Sequence, residues 1–126
     1  MNDNKIPVLL IAFKRPEETK KVLDKINEYF PEKLYFFVDH SDQNELKNKE
    51  VKELISLKNY ASNVYKYFPK NNLGCGFGPV TAINWILSKE KYAIILEDDC
   101  VPLNGFFEFM EWWLNKKEKD NNCFMV

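Results

Sequence analysis

A chain of 126 residues is long enough for one domain with a core, and its hydrophobic (45%) and charged (29%) fractions are those of an ordinary globular protein. Lys and Arg are interspersed with Asp and Glu to a formal net charge of −1, which excludes the concentrated basic face that nucleic acid or an anionic membrane requires. No apolar stretch reaches the length of a membrane span, no signal-peptide pattern opens the chain, and Cys75, Cys100 and Cys123 lack metal-type spacing; the expectation is a cytoplasmic protein with reduced thiols and no membrane span.

The first apolar run, "PVLLIAF" (7–13), is short, unbroken by polar residues and rich in aliphatic side chains, as a strand buried on both faces of a parallel sheet reads. "RPEETKKVLDKINEYF" comes next, with Pro16, Glu17 and Glu18 at a helix start and Val22, Leu23, Ile26 and Phe30 on one face. "LYFFV" (34–38) predicts a second buried strand. "ELKNKEVKELISL" predicts a charged helix with Val51, Leu54 and Ile55 as a narrow stripe. "VYKYF" (64–68), interrupted by Lys66, predicts a strand nearer an edge. A helix is expected from Pro79 through "PVTAINWILS" on the face of Val80, Ile83 and Leu87, the preceding "GCGFG" being a tight glycine turn. "YAIIL" (92–96) predicts another strand buried on both faces. "GFFEFMEWWLNKK" predicts a helix with Phe106, Phe109, Met110 and Trp113 on one side, widened by Phe107 and Leu114. Strands alternating with helices define a single α/β unit over residues 1–126, a Rossmann-like, mostly parallel sheet with flanking helices. The chain stops at "NNCFMV", where a further strand begins. The expected domain is therefore truncated at its C-terminal end.

In an open parallel sheet ligands bind beyond the carboxyl ends of the strands. The three buried runs are succeeded by Lys14-Arg15, by Asp39-His40-Ser41-Asp42 and by Glu97-Asp98-Asp99, so all three polar groups are expected on one edge. Three adjacent carboxylates repel by about 1 kcal/mol per close pair in water, and by several times that at an effective dielectric of ~20. A shared cleft holding something cationic relieves that repulsion. Extended geometry would point Glu97 and Asp99 to one side and Asp98 to the other. Oxygen ligands favour a hard cation, Mg²⁺ or Mn²⁺, completed by water and phosphate oxygens.

At these residues the chain resembles a known family. "AIILEDDCVPLNGFFEFM" looks like the acidic DXD signature of nucleotide-sugar glycosyltransferases with the GT-A fold. It is closest to the Glu-Asp-Asp form of N-acetylglucosaminyltransferase I-like enzymes and of related bacterial transferases. "IPVLLIAFKRPEETKKVLDKI", "FFVDHSD" and "NNLGCGFGPVTAINW" match in the same order. The resemblance implies that Asp99 binds the divalent cation and that Glu97 and Asp98 lie near ribose and diphosphate. It also implies that Asp39 accepts from the base, and that Ala12 to Arg15, Phe13 included, runs along the nucleoside. Gly74 is expected close to the donor, which is a nucleoside-diphosphate sugar, a UDP-sugar being favoured. The acceptor is left unknown, and the base that would activate it is expected beyond residue 126.

Plainer readings stand beside these. An acid of the triplet could cap the helix beginning near Asn104, and Asp39 could close a local turn. His40 is a lone histidine in a polar loop, and Arg15 could be an ordinary surface charge. "GCGFG" lacks the G-x-G-x-x-G spacing of a dinucleotide loop and lies after the weakest strand. Trp112 and Trp113 could stack on sugar or fill the core. A phospho-accepting receiver domain would carry paired acids after its first strand, where this chain has Lys14-Arg15. A nucleotide-binding fragment without catalysis is the other alternative. An apolar final helix without a C-terminal half would leave Phe107, Trp112 or Leu114 partly exposed, from which a homodimer is expected.

Overall fold

A computed structural model describes residues 5–117. Strands β1 (Val8–Ala12), β2 (Lys33–Val38), β3 (Asn63–Tyr67) and β4 (Ile94–Glu97) alternate with helices α1 (Pro16–Tyr29), α2 (Glu45–Leu54), α3 (Gly74–Leu87) and α4 (Phe106–Lys117). The strands form one all-parallel sheet in the order β3-β2-β1-β4. This is a Rossmann-like α/β fold. The strand expected at "NNCFMV" lies outside the described residues. No helix of the described residues is long and apolar enough to cross a membrane.

Parallel pairing sends each crossover over a face of the sheet, and the two faces are filled unequally. On one side Val8, Leu10, Ala12, Leu34, Phe36, Val38, Ile94 and Leu96 pack against Val22, Leu23 and Ile26 of α1, Val51 of α2 and Phe107 of α4. On the other, Leu9, Tyr35 and Phe37 meet α3 through Ala82 and Ile86. β1 and β2 are central and covered on both faces, as their unbroken apolar runs predict. β3 lies at the edge that Lys66 marks.

Several expectations are corrected. β4 is two-faced, with Ile94 and Leu96 buried but Ile95 41% exposed. Among the described residues it pairs with β1 alone. α3 begins at Gly74, five residues before the expected Pro79, so the "GCGFG" loop is the start of a helix and Pro79 sits inside it. Its sheet-facing residues are Gly78, Ala82 and Ile86, while Val80 and Leu87 are exposed. The small residues set that face: a Cβ on Gly78 would already lie 3.4 Å from the Asp39 carboxylate, so a larger side chain would hold the helix off the sheet. Phe30 is a half-exposed cap in the left-handed region (φ 51°) rather than part of the α1 stripe. Phe107, expected near the surface, is buried and stacks on Tyr29 at 4.3 Å between ring centres. Phe109 points outward instead of joining the stripe, Trp112 is exposed, and Leu114 is partly buried against the core.

Candidate functional site

The order β3-β2-β1-β4 reverses direction between β1 and β4, because α1 and α2 cross one face and α3 the other. A crevice opens at such a switch point beyond the strand ends. It is present here as a cleft of about 750 Å³. Its walls bring together Ala12, Phe13 and Arg15 after β1, Asp39 after β2, Gly74 at the start of α3, and Glu97 and Asp98 after β4. Seven of the eight residues singled out in the sequence thus line one cavity. Asp99 stands beside it, tied to the lining Arg15.

The acidic turn begins where the sheet ends. The ladder continues for one bond past β4, from the Asp98 N–H to the Ile11 carbonyl (3.1 Å). The chain then turns, closed by the Cys100 N–H on the Glu97 carbonyl (3.1 Å). Extended geometry therefore ends at Glu97, where β4 loses its partner, and the turn rather than the pleat arranges the acids. Glu97 and Asp99 are exposed and Asp98 is buried. Burial pushes the Asp98 pKa up; Arg15 opposes this and the neighbouring Asp99 charge adds to it. Asp98 Oδ1 accepts from Arg15 Nη2 at 3.0 Å, but the buried Oδ2 has no partner. Arg15 Nη2 also lies 3.4 Å from Asp99 Oδ2.

One carboxylate oxygen each from Glu97 and Asp99 and the Cys100 sulfur lie within 4.8 Å of one another, close enough to share a cation. Cys100, which its sequence spacing excludes as a ligand, joins the group only because the turn folds it back. Its thiol donates to Asp99 Oδ1 (3.5 Å), and that bond pushes the thiol pKa up. The two exposed carboxylates are hard oxygen donors of the kind a divalent cation such as Mg²⁺ or Mn²⁺ takes, with the Cys100 sulfur beside them.

Asp39 occupies a different position from a free ligand group. Its buried carboxylate accepts from the N–H groups of Leu73 (2.9 Å), Gly74 (2.9 Å) and His40 (2.8 Å), with the Asn72 amide at 3.4 Å. It caps α3 from another element of the fold, supplying the acceptor that Leu73 and Gly74 lack locally. His40 turns away to pair with Asp42 at 2.7 Å. Asn48, not singled out in the sequence, is buried on α2, and its side-chain amide donates to the carbonyls of both Phe13 and Asp39 at 2.8 Å. It clamps the ends of β1 and β2, the floor of the cleft. An asparagine on the inner face of an otherwise charged helix was the available signal.

Helices that run back along a parallel sheet present their N-termini at the carboxyl edge. The residues before α1 and α2, Arg15 and Asn44, and the first residue of α3, Gly74, all line the cleft, and none of the three helices has a side-chain cap from its own flanking residue. The cleft therefore offers the positive starts of α1 and α2 to an anion and carboxylates to a cation, while the first N–H groups of α3 are already taken by Asp39. Comparison with protein families, with curated proteins and with solved structures gives no match for the chain.

Proposed function

We propose that the cleft binds a nucleoside diphosphate together with Mn²⁺ or Mg²⁺, and that the chain is the donor-binding portion of a metal-dependent glycosyltransferase using a nucleoside-diphosphate sugar, a UDP-sugar being favoured. The observation that carries this reading is the convergence, at the switch point, of the α1 and α2 N-termini with the Glu97-Asp98-Asp99 turn. A diphosphate needs the first and a cation the second, and neither alone accounts for a cleft that holds both. The carbohydrate part of the reading rests on the resemblance of residues 93–110 and of the stretches preceding them.

On this reading Glu97 and Asp99 hold the cation, and the half-buried Phe13 gives the cleft apolar surface for a base. The ion supplies Lewis-acid stabilisation of the charge that develops on the diphosphate as the sugar leaves. Asn48 and Asp39 keep the strand ends and the α3 start where the ligand meets them. A receiver-type reading has less support, because Lys14 and Arg15 stand where paired acids are required. Binding without transfer is the alternative that turnover of a donor sugar would separate from the lead.

UDP at 100 times its dissociation constant is expected to add about 2.7 kcal/mol of stability in the presence of Mn²⁺. Thermal unfolding with UDP and Mn²⁺, and with UDP and a chelator, measures it. Equal stabilisation in both would remove the metal from the reading, and none in either would remove the nucleotide. The reading includes a homodimer through the outer face of α4, where Phe109 and Trp112 are each 51% exposed and stack at 5.9 Å. Sedimentation is expected to show a dimer that Trp112→Lys dissociates, and a wild-type monomer would refute it.

A further inference from the structure

We propose that Arg15 is the resident counter-ion of the acidic turn and exchanges with the divalent cation, which releases the guanidinium to the phosphates of the bound nucleotide. The inference rests on the metal–diphosphate reading above and adds to it an order of events and a dual role for one side chain.

Three successive carboxylates need a cation whether or not a metal is bound, and Arg15 supplies one. A single nitrogen, Nη2, lies 3.0 Å from Asp98 Oδ1 and 3.4 Å from Asp99 Oδ2. It bridges two acids, one oxygen on each, and does not form the two-pronged fork in which guanidinium binds a carboxylate most strongly. The Asp98 half is buried and the Asp99 half is open, with side chains 6% and 46% exposed. Asp99 is thus the partner from which Arg15 can be displaced by a cation arriving from solvent.

The two cations compete at Asp99. One of its oxygens faces Arg15 and the other receives the Cys100 thiol at 3.5 Å, so a metal ion at Asp99 replaces one of these contacts and lies beside the guanidinium. Repulsion between a divalent ion and an arginine at this range drives the side chain away. The Arg15 backbone does not have to move. Its carbonyl accepts from the Thr19 N–H (2.9 Å) and hydroxyl (2.6 Å), which fixes the start of α1, while the side chain is half exposed and lines the cleft. A diphosphate in that cleft is the anion within its reach, and guanidinium suits phosphate oxygens. Arg15 therefore opposes metal binding in the free protein and favours nucleotide once the metal has entered.

The two roles have opposite signs, and this makes the test specific. Mn²⁺ binding is measured without nucleotide, from the loss of the free-ion electron-spin-resonance signal, for wild type, Arg15→Met and Arg15→Lys. UDP binding is then measured by calorimetry at saturating Mn²⁺. Arg15→Met is expected to bind Mn²⁺ alone roughly fivefold more tightly, and UDP with Mn²⁺ roughly tenfold more weakly. Arg15→Lys, with its charge kept, is expected to lie between the two on both scales. A purely structural arginine would weaken both ligands in proportion to lost stability, a result that would overturn the exchange, as would unchanged Mn²⁺ affinity in Arg15→Met. If wild type and Arg15→Met bind Mn²⁺ equally and UDP still binds, the exchange alone fails. If no variant binds Mn²⁺, the metal reading fails and takes the exchange with it. Should Arg15→Met not fold, Arg15→Lys against wild type carries the same comparison.

Discussion

Asp39→Ala is expected to lower the free energy of unfolding by about 2–4 kcal/mol, because it leaves donors without the charged acceptor they were built around. The carboxylate is 8% exposed and accepts from the backbone of Leu73, Gly74 and His40. Hydrogen bonds to a charged group contribute more than neutral ones, and the orphaned amides keep their desolvation cost. The helix below depends on this anchor more than most. Gly74, Gly76 and Gly78 lie in its first five residues, and each glycine disfavours helix by about 1 kcal/mol relative to alanine. Without the cap, the segment from Gly74 to Pro79 is expected to unravel and to take one wall of the cleft with it. Asp39→Asn keeps the shape and one accepting oxygen but turns an NH₂ group toward backbone donors, so it should lose about half as much. Urea unfolding with an unchanged m-value is the measurement. A loss below about 0.5 kcal/mol in Asp39→Ala would show that α3 starts unaided. A change in base preference with no loss of stability would instead make Asp39 a reader of the base.

That cap explains why the sequence misplaces the helix. Local signals for the start of α3 point to Pro79, since proline suits a first turn and three glycines read as a loop. The decisive residue is 34 positions upstream of Leu73, on another strand, and no local pattern contains it. Asn48 lies on the buried side of α2 with Val51, and the carbonyls it donates to belong to β1 and β2 ends that its own charged neighbours do not announce. By contrast, β1 and β2 are plain in the sequence because burial on both faces leaves unbroken apolar runs, and α1 is plain because Val22, Leu23 and Ile26 keep helical spacing. β4 reads the same way but ends up with Ile95 exposed, since an apolar run shows what a strand would bury and not whether a layer covers it. Phe107 is buried where exposure was expected, for a related reason. Aromatics surround much of α4, and Tyr29, which selects the inner face, belongs to another helix. The polar groups after each strand were legible because a parallel sheet puts every carboxyl end on one edge, whatever the details of the loops.

Asp99→Asn is expected to weaken metal-dependent UDP binding by roughly 100-fold while leaving the fold intact. Removing an outer-shell partner of a metal ligand already costs 10–100-fold, and a direct ligand should cost at least as much. The side chain is 46% exposed and holds no backbone group, so its loss opens no cavity and orphans no buried donor. The neighbouring acids give the internal contrast. Glu97→Gln removes another carboxylate of the same cluster and is expected to weaken binding, whereas Glu108→Gln, in the first turn of α4, removes equal charge away from the cleft and is expected to change nothing. A general charge effect predicts the same result for all three variants. The stability of the metal-free protein should respond differently. With Asp99 neutral, one of three crowded negative charges is gone and Arg15 is left to Asp98 alone, at 3.0 Å. Unfolding of metal-free Asp99→Asn is therefore expected at the wild-type temperature or above it, although its nucleotide site is lost. Calorimetric titration with UDP and Mn²⁺ and thermal unfolding without either ligand give the two halves of the result. Unchanged UDP affinity would remove Asp99 as the essential ligand, and a clear fall in melting temperature would show that the acidic turn contributes to folding rather than opposing it.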